Sequence, residues 1–366
     1  MMISCAIGLM SGTSMDGIDL AVLLTDGDAI VRRGPSLFVP YEAAFRRRIE
    51  EGLEDAKTIR MRAERPGDLG ALERDITLRH AEAVARFLPS LKAFHPELIG
   101  FHGQTVLHRP AQKLTVQIGD ATALAKAIHI PVMYDFRAAD VEAGGQGAPL
   151  VPVYHRALAQ SLEREGPIVV VNIGGVSNIT YIDGTDVLIA CDTGPGNALL
   201  DDYMFRKMSQ PFDCEGRLAA QGAVDVPWVI RALEHPFFAL PPPKSLDRND
   251  FASLVLREMP PADGAATLTA FTAEAIARIV PLLPKEPKSW IVAGGGARNL
   301  TMLRMLRERL QPATVESADV LGWSADAIEA QAFGFLAARG LKGLPLSYPG
   351  TTGVPIPMTG GLIARP

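Results

Sequence analysis

The chain of 366 residues repeats one local plan near its start and again near its middle. Residues 3–25 contain two apolar runs around the polar turn SGTSMDG, and residues 168–182 contain two apolar runs around Gly174 and Gly175. Apolar runs that flank a turn of Gly, Ser, Thr and Asp predict a strand, a tight turn and a second strand. A hairpin that opens each half predicts two related α/β domains, each of which presents a glycine-rich turn toward a shared cleft.

Composition limits the classes of partner. The chain is 48% apolar and 21% charged, as in a globular protein with a large core, and its length favours two domains. The net charge of -5 argues against nucleic acid, which needs a basic surface. The N-terminal apolar run is too short to span a membrane, so we expect no secretory segment and no membrane partner. Cys5, Cys191 and Cys214 lack zinc or CxxC spacing, so we expect reduced thiols in a cytoplasmic protein.

Helices are predicted between and after the hairpins. Residues 68–88 carry apolar side chains at helical spacing behind Asp68, and Asn299 is a candidate cap for the helix after WIVAGGG. The last helix is predicted from Ser324 as its N-cap to about Arg339, with Gly340 as the residue that ends it. The Pro- and Gly-rich tail that follows predicts an irregular strap. The segment LIGFHGQTV is predicted as a buried strand that ends in a polar loop.

The stretch SGTSMDGID, residues 11–19, has the composition of a phosphate-binding turn. Gly12 and Gly17 would let the backbone approach a ligand, and Ser14 adds a hydroxyl donor. Asp16 and Asp19 could hold a divalent cation directly or through water. The stretch is not a Walker loop, because it lacks Gly-Lys-Ser/Thr. A hairpin turn that needs glycines and polar caps explains the same residues.

The stretch DTGPGN places Asp192 directly after an apolar run. An aspartic protease needs two such carboxylates that share a proton, and the chain has a single Asp-Thr-Gly. A carboxylate followed by Gly194 and Gly196 fits a general base that faces phosphate-binding loops. A turn residue that bonds its own backbone is the alternative.

Three further stretches are candidates for ligand contacts. Gly294, Gly295 and Gly296 join a buried strand to a helix, as at a nucleotide site, although a plain strand–helix turn explains them as well. His102 suits the polar lining of a substrate cleft better than a metal site, because its spacing to the nearest histidine fits no known metal motif. Arg137 could donate two parallel hydrogen bonds to a carboxylate or phosphate of a ligand, or it could form a structural ion pair.

Together these stretches resemble the anhydro-N-acetylmuramic acid kinase family. The matching motifs are GLMSGTSMDGID, FHGQT, DFRAADVEAGGQGAPLVP, VNIGGVSNIT, DTGPGN, VAGGGARN and DAIEAQAFGFLA, in family order. The resemblance implies two ribonuclease H-like domains of the actin and hexokinase type around an ATP and sugar cleft. It implies an N-terminal domain at residues 1–135, on which the tail 341–366 packs, and a C-terminal domain at residues 136–340. It also implies Mg²⁺, a homodimer and a role in recycling cell-wall amino sugars.

The resemblance also assigns residues. It implies that Asp192 is the catalytic base and that Glu329 contacts the sugar near the reacting centre. It implies sugar contacts from Arg137, His102, Gln104 and Asn197, with Arg137 paired with the lactyl carboxylate. It implies ATP contacts from Gly12, Thr13, Ser14, Met15, Asp16, Gly17, Ile18, Asp19, Gly174, Gly175, Gly294, Gly295 and Gly296. Its reaction opens 1,6-anhydro-N-acetylmuramic acid with water and phosphorylates O6, whereas a sensor or a simple hydrolase would be rival readings of the same fold.

Overall fold

The computed structural model describes residues 3–12, 14–246, 250–251, 254–324 and 327–366. The chain divides into two compact units. Unit 1 is formed by Met1–Leu162 with Ala327–Pro366, and unit 2 by Glu163–Asp326. Each unit has its own sheet and its own hydrophobic core.

The elements are numbered in chain order. The strands are β1 (Ser4–Ser11), β2 (Gly17–Thr25), β3 (Val31–Pro40), β4 (Leu98–Arg109), β5 (Leu114–Ile118), β6 (Val132–Tyr134), β7 (Ile168–Ile173), β8 (Val176–Asp183), β9 (Val187–Pro195), β10 (Ser289–Ala293), β11 (Thr314–Ser317) and β12 (Leu362–Ala364). The α-helices are α1 (Ala43–Ala56), α2 (Leu69–Phe87), α3 (Ala121–Ile128), α4 (Ala138–Glu142), α5 (Pro152–Gln160), α6 (Ala198–Met208), α7 (Val226–Ala232), α8 (Pro261–Ala277), α9 (Leu300–Arg309), α10 (Ile328–Leu341) and α11 (Pro349–Thr352).

The sheet of unit 1 has the order β12-β6-β4-β1-β2-β3, and β5 pairs with β4. Strands β1, β2 and β3 are antiparallel neighbours, whereas β1–β4 and β4–β6 are parallel. Successive side chains of a strand point to opposite faces. Cys5, Ile7 and Leu9 of β1 therefore enter the core that α1, α2 and α3 cover, and Gly8 faces α10.

Close packing of α10 explains why the last helix belongs to unit 1. A Cβ on Gly8 would lie 1.7 Å from the carbonyl oxygen of Ala330, and one on Gly100 would lie 2.0 Å from that of Phe333. Only glycine leaves space for this approach. The observed division therefore differs from the expected boundary at 135/136, because residues 136–162 and 327–340 join unit 1. In the tail, β12 pairs with β6 at the edge of the same sheet.

The sheet of unit 2 has the order β11-β10-β7-β8-β9. Strands β7, β8 and β9 are antiparallel neighbours, and β10 is parallel to β7. Both predicted hairpins are therefore present, and in each unit the first hairpin strand also pairs with a parallel strand. The expected mixed α/β architecture with two sheets is confirmed.

One segment of unit 2, Pro261–Leu282, is long and apolar enough to cross a membrane by length and composition. In its most apolar window, 61% of the residues are buried inside the protein. Helix α8, which forms most of this segment, packs against α9, α6 and β9. The core helix of a globular unit passes the same test, so the segment is weak evidence for a membrane span.

Several local predictions agree with the structure, and others were wrong. Helix α2 matches the prediction for 68–88, and the Asn299 side chain accepts the Met302 N–H at 2.9 Å, which confirms the predicted cap. The last helix begins at Ile328 behind Ala327, not at Ser324.

The predicted end of the last helix was also wrong. Gly340 lies inside α10, and Gly343, with φ of 65°, follows the helix end. Gly340 allows close packing, because a Cβ there would lie 3.0 Å from the carbonyl oxygen of Gly360.

The strand predicted in LIGFHGQTV is confirmed, but the polar loop expected at its end is also part of the strand. Strand β4 runs through it from Leu98 to Arg109, and Gly103, with φ of 71°, lets the strand bend within the motif. The tail is also more regular than predicted, because it contains the four-residue helix α11 and the edge strand β12.

Candidate active site

Turn 1, defined as residues 12–16 between β1 and β2, is held by side chains. The Gln104 Nε2 donates to the carbonyl oxygen of Gly12 at 3.2 Å. The Ser11 hydroxyl donates to the Gln104 Oε1 at 2.7 Å and lies 3.0 Å from the hydroxyl of Tyr41. Gln104 is 1% exposed, so it supports turn 1 from inside the unit and does not face a sugar.

Turn 1 presents carboxylates to solvent. The Ser14 hydroxyl donates to the Asp16 Oδ1 at 2.6 Å, and Met15 has a positive φ of 53°. Asp16 is exposed, and Asp19 on β2 is partly exposed. Carboxylate oxygens of this kind are the ligands that Mg²⁺ takes in proteins, together with water and phosphate oxygens. No cluster of three or more His, Cys, Asp or Glu side chains is found among the residues that the structure describes.

Other residues of the expected ATP segment serve packing. Ile18 is fully buried, so its side chain belongs to the core and cannot reach a ligand. A Cβ on Gly17 would lie 2.5 Å from the carbonyl oxygen of Val39, so this glycine permits close pairing of β2 with β3. Thr13 lies outside the described residues.

Arg137 precedes α4 and hydrogen-bonds only neutral groups. Its Nη1 donates to the carbonyl oxygen of Gly147 at 2.8 Å. Its Nε and Nη2 lie 3.2 and 3.0 Å from the His102 Nε2. Its guanidinium carbon lies 5.9 Å from the centre of the Phe333 ring. Within the described ranges Arg137 forms no ion pair, so the structural ion pair considered above is not present.

His102 has both ring nitrogens engaged inside the protein. Its Nδ1 lies 2.7 Å from the carbonyl oxygen of Gly103, its Nε2 faces Arg137, and its ring packs 4.6 Å from that of Phe333. The residue is 5% exposed. His102 therefore contacts Arg137, and its expected contact with a sugar stays a prediction.

Desolvation sets the pKa values around Arg137. Burial and, to a smaller extent, the charge of Arg137 lower the pKa of His102 to about 3. Burial lowers the pKa of Arg137 to about 10, against the opposing effects of Glu329 and Asp140. Glu329 lies in the first turn of α10 and remains accessible to solvent. The protein crowded around its carboxylate raises the Glu329 pKa by desolvation, while Arg137 lowers it.

Asp140 holds the loop that supplies the Gly147 carbonyl. Its Oδ1 accepts the Gly147 N–H at 2.6 Å, and its Oδ2 accepts the hydroxyls of Thr352, at 2.6 Å, and Ser347. These donors are neutral, and Asp140 is 2% exposed. Sequence reasoning missed this residue, because its partners come from the tail about 210 residues away.

Turn 2 of unit 2, defined as Gly174 and Gly175 between β7 and β8, is held by the main chain. The Gly196 N–H donates to the Gly175 carbonyl at 2.9 Å, and the Asn197 N–H donates to the Gly174 carbonyl at 2.7 Å. A Cβ on Gly196 would lie 2.2 Å from the Gly174 carbonyl oxygen. The motifs IGGVSN and DTGPGN are therefore packed directly on each other.

A pocket of about 610 Å³ opens in unit 2 beside turn 2. It is lined by Asn197, Leu200, Asp201, Phe212, Asp213, Cys214, Glu215, Gly295, Arg298, Asn299 and Leu300. Small-molecule sites have volumes of about 300–1,000 Å³. Asn197, expected at the sugar, instead lies in this pocket with the glycine turn, and its Nδ2 donates to the Ile173 carbonyl at 3.2 Å.

The three glycines after β10 have different roles. Gly294 has φ of 75°, and a Cβ on Gly296 would lie 2.5 Å from the Ile173 side chain. Only Gly295 is both exposed and part of the pocket lining.

Asp192 lies on β9 and is partly exposed. Its Oδ2 accepts the Leu246 N–H at 2.7 Å, and its own N–H donates to the Lys244 carbonyl at 2.9 Å. No hydrogen bond reaches its other carboxylate oxygen from the described part of the chain. Burial raises the pKa of Asp192 to about 6, although the Leu246 hydrogen bond and the charge of Lys244 lower it. This pKa suits a group that accepts a proton near neutral pH.

Sequence reasoning missed the segment that holds Asp192. In the largely exposed stretch 240–245, the Lys244 Nζ donates to the Phe237 carbonyl at 3.0 Å and lies 4.5 Å from the Phe237 ring centre. Lys244 and Leu246 then approach Asp192 across more than 50 residues of sequence. The only signal was the position of a lysine directly after three prolines.

Comparison with known proteins shows that the two-unit α/β chain is a sugar kinase. The model of the family described as anhydro-N-acetylmuramic acid kinase matches residues 4–365. The kinase of that name from Bradyrhizobium diazoefficiens is 71% identical over 100% of both chains. Those from Azorhizobium caulinodans and Methylorubrum populi are 56% and 48% identical over 99% of both chains. The chain belongs to the anhydro-N-acetylmuramic acid kinase family.

Solved structures are more distant in sequence. A ROK family glucokinase from Streptomyces griseus in complex with glucose and AMPPNP is 12% identical to this chain. The alignment covers 92% of this chain and 100% of that chain, with a TM-score of 0.42.

Proposed function

We propose that the protein uses ATP and water to convert 1,6-anhydro-N-acetylmuramic acid into N-acetylmuramic acid 6-phosphate and ADP. The sugar has no free hydroxyl at O6, because O6 is bonded to C1. Water therefore attacks C1 while the C1–O6 bond breaks, and O6 attacks the γ-phosphorus of ATP as the bond to the β–γ bridging oxygen breaks. One water proton goes to a base on the protein, and the other stays on the new hydroxyl at C1.

Asp192 is the residue to which we assign that proton. The observation that carries the proposal is its carboxylate. One oxygen accepts the Leu246 N–H, the other receives no hydrogen bond from the described residues, and the pKa is raised to about 6. Near neutral pH such a group is largely ionised and still basic enough to accept a proton. Positioned proton removal is typically worth about a hundred- to ten-thousand-fold in rate.

We assign ATP to the two glycine turns and to the pocket of unit 2. The 610 Å³ pocket with Gly295 and Asn197 supports adenosine binding, and the exposed Ser14 of turn 1 supports phosphate binding. When bound, Mg²⁺ would offset the negative charge of the transferred phosphoryl group. We assign Asp16 and Asp19 to it, directly or through water, because exposed carboxylates with water complete the ligand set that this ion prefers.

We assign the lactyl carboxylate of the sugar to Arg137. The support is electrostatic. Among the described residues, this desolvated guanidinium hydrogen-bonds a neutral imidazole and a carbonyl, and no carboxylate lies at contact distance to balance its charge. An anionic ligand would supply it. We place Glu329 near the reacting centre of the sugar, where its raised pKa would let it exchange a proton.

The test is a coupled assay in ¹⁸O-water, with the product analysed by mass spectrometry before exchange at C1. We expect ADP and the 6-phosphosugar in equal amounts, neither without both substrates, and the label on the C1 oxygen alone. Asp192→Asn should lower turnover by about a hundredfold or more. Label in phosphate, ADP without phosphosugar, or full activity of Asp192→Asn would reject the proposal. ADP alone would indicate an ATPase, and an unphosphorylated ring-opened sugar would indicate a hydrolase.

We further propose that the protein is a cytoplasmic homodimer that recycles cell-wall amino sugars. The unpaired state of Cys5, Cys191 and Cys214 supports a reducing compartment. We infer the dimer from the anhydro-N-acetylmuramic acid kinase family, whose members usually form homodimers. Light scattering of the purified protein should give twice the chain mass of 39.2 kDa, and a single chain mass at micromolar concentration would reject the dimer.

A further inference from the structure

The guanidinium of Arg137 has hydrogen-bonding capacity left over. It carries five N–H groups. The Nε–H and one N–H of Nη2 point to His102, and one N–H of Nη1 points to Gly147. One N–H therefore remains on each terminal nitrogen. Two such groups on neighbouring nitrogens form the fork that binds both oxygens of a carboxylate.

The hydrogen bonds of His102 define its tautomer. A carbonyl oxygen can only accept, so the Nδ1 that lies 2.7 Å from the Gly103 oxygen carries the proton. The Nε2 then carries a lone pair and accepts from Arg137. A doubly protonated ring would lose this acceptor and would place two positive charges in contact, which burial also opposes.

We propose that His102 is a positioning residue whose Nε2 lone pair holds the Nε–Nη2 edge of Arg137 and leaves the other two N–H groups as a fork for the carboxylate of the sugar. The Gly147 carbonyl, held by Asp140, fixes the second side of the guanidinium. The Phe333 ring lies against both His102 and Arg137. A neutral acceptor is needed on this edge, since a carboxylate in place of His102 would already balance the charge that the ligand should meet.

This proposal rests on the function proposed above and makes His102 a determinant of specificity. An arginine that is fixed before binding loses less side-chain entropy when the carboxylate arrives. Without the His102 acceptor, the guanidinium is free to turn. A sugar that carries a carboxylate should then no longer bind more tightly than one without it. ATP, which we assign to other residues, should bind as before.

The experiment compares His102→Phe, His102→Gln, Arg137→Ala and the double variant His102→Phe/Arg137→Ala. Phenylalanine retains a ring against Phe333 and removes the acceptor, whereas glutamine places an oxygen near the position of Nε2. We expect His102→Phe to raise KM for the anhydro-sugar about tenfold. We expect the change in kcat to stay below about threefold, and KM for ATP to be unchanged. Glutamine should restore KM to within about threefold of the wild type, and His102→Phe should add nothing once Arg137 is absent.

His80→Phe is the matched control. His80 is also buried in unit 1, packs edge-on against Phe101 at 4.9 Å between ring centres, and hydrogen-bonds the Ile76 carbonyl through Nδ1, but it does not touch Arg137. It should leave KM for the sugar unchanged. An unchanged KM in His102→Phe, additive effects of His102→Phe and Arg137→Ala, or a glutamine variant as weak as phenylalanine would overturn the proposal.

The two proposals fail in different ways. If the wild type makes no phosphosugar, the proposed function fails, and the calorimetric Kd of the anhydro-sugar replaces KM in the same four variants. If the wild type is active but the variants behave independently of each other, only the positioning role fails. If His102→Phe does not fold, the comparison of His102→Gln with Arg137→Ala decides.

Discussion

The two glycine-rich turns have similar sequences and different supports. Turn 1 depends on side chains, since Gln104 holds the Gly12 carbonyl, and a Cβ on Gly12 would meet no atom nearer than 3.7 Å. Turn 2 depends on main-chain hydrogen bonds from residues 196–198, and a Cβ on Gly196 would lie 2.2 Å from the Gly174 carbonyl oxygen. Turn 1 therefore depends on a buried side chain, whereas turn 2 depends on the close approach of Gly196 from the segment after β9.

The difference indicates where each unit tolerates change. A side-chain support is lost when one residue is replaced, but the space around the turn remains. A main-chain support survives most side-chain replacements. It fails when turn 2 and residues 196–198 are pushed apart, because backbone atoms cannot move aside as a side chain can by changing its rotamer.

The largest stability effect should come from Gly196→Ala. The new methyl group would collide with a backbone carbonyl, and overpacking of this kind costs about 1–3 kcal/mol, with the upper end expected where backbone must move. Peptide-level hydrogen exchange should show faster exchange in β7, β8 and β9 of unit 2, with unit 1 unchanged.

Gly12→Ala is the matched control for that variant. Its methyl group would meet the Ser14 hydroxyl at 3.7 Å, an ordinary contact distance. The free energy of unfolding should change by less than about 0.5 kcal/mol. Equal destabilisation by both substitutions would remove the distinction between the two turns.

A smaller effect should come from Gln104→Leu, which tests the side-chain support of turn 1. Leucine has a similar size but leaves the Gly12 carbonyl without its donor, and removal of one partner of a buried hydrogen bond costs about 1–3 kcal/mol. We expect about 1–2 kcal/mol, because the Gly12 carbonyl is only partly buried and water can reach it. Hydrogen exchange should accelerate in β1 and β2 only. Unchanged exchange in these strands would show that turn 1 does not depend on Gln104.

The smallest effect concerns Asp192, on the strand that leads to the segment packed on turn 2, and its sign depends on pH. The folded-state pKa of about 6 lies above the ordinary value of 3.8, so the folded protein binds this proton more tightly than the unfolded chain. The wild type should gain stability from this group as pH falls through about 6 toward 3.8. Asparagine does not titrate. The melting temperature of Asp192→Asn relative to the wild type should therefore be highest near pH 8 and should decline toward pH 5. A difference that does not vary with pH would contradict the raised pKa.

Local sequence predicted the hairpins, helix α2 and the Asn299 cap, because neighbouring residues set turn chemistry, periodicity and capping. It misread the reasons for several glycines. Gly340 was predicted to end a helix, yet it allows the tail to approach α10. No packing role was predicted for Gly8, although a Cβ there would lie 1.7 Å from a carbonyl oxygen of α10. Sequence shows that a residue is small but does not show which segment needs the space.

The sequence by itself determined the family and the kinds of residue available for chemistry, because motifs such as GTSMDGID and DTGPGN are local and specific. Only the tertiary structure decided the burial and the hydrogen-bond partners of those residues. The raised pKa of Asp192 depends on burial and on an N–H from residue 246, and the fork of Arg137 depends on a histidine 35 positions earlier in the chain. Desolvation and hydrogen-bond partners are properties of distance in space, which the order of residues along the chain does not contain.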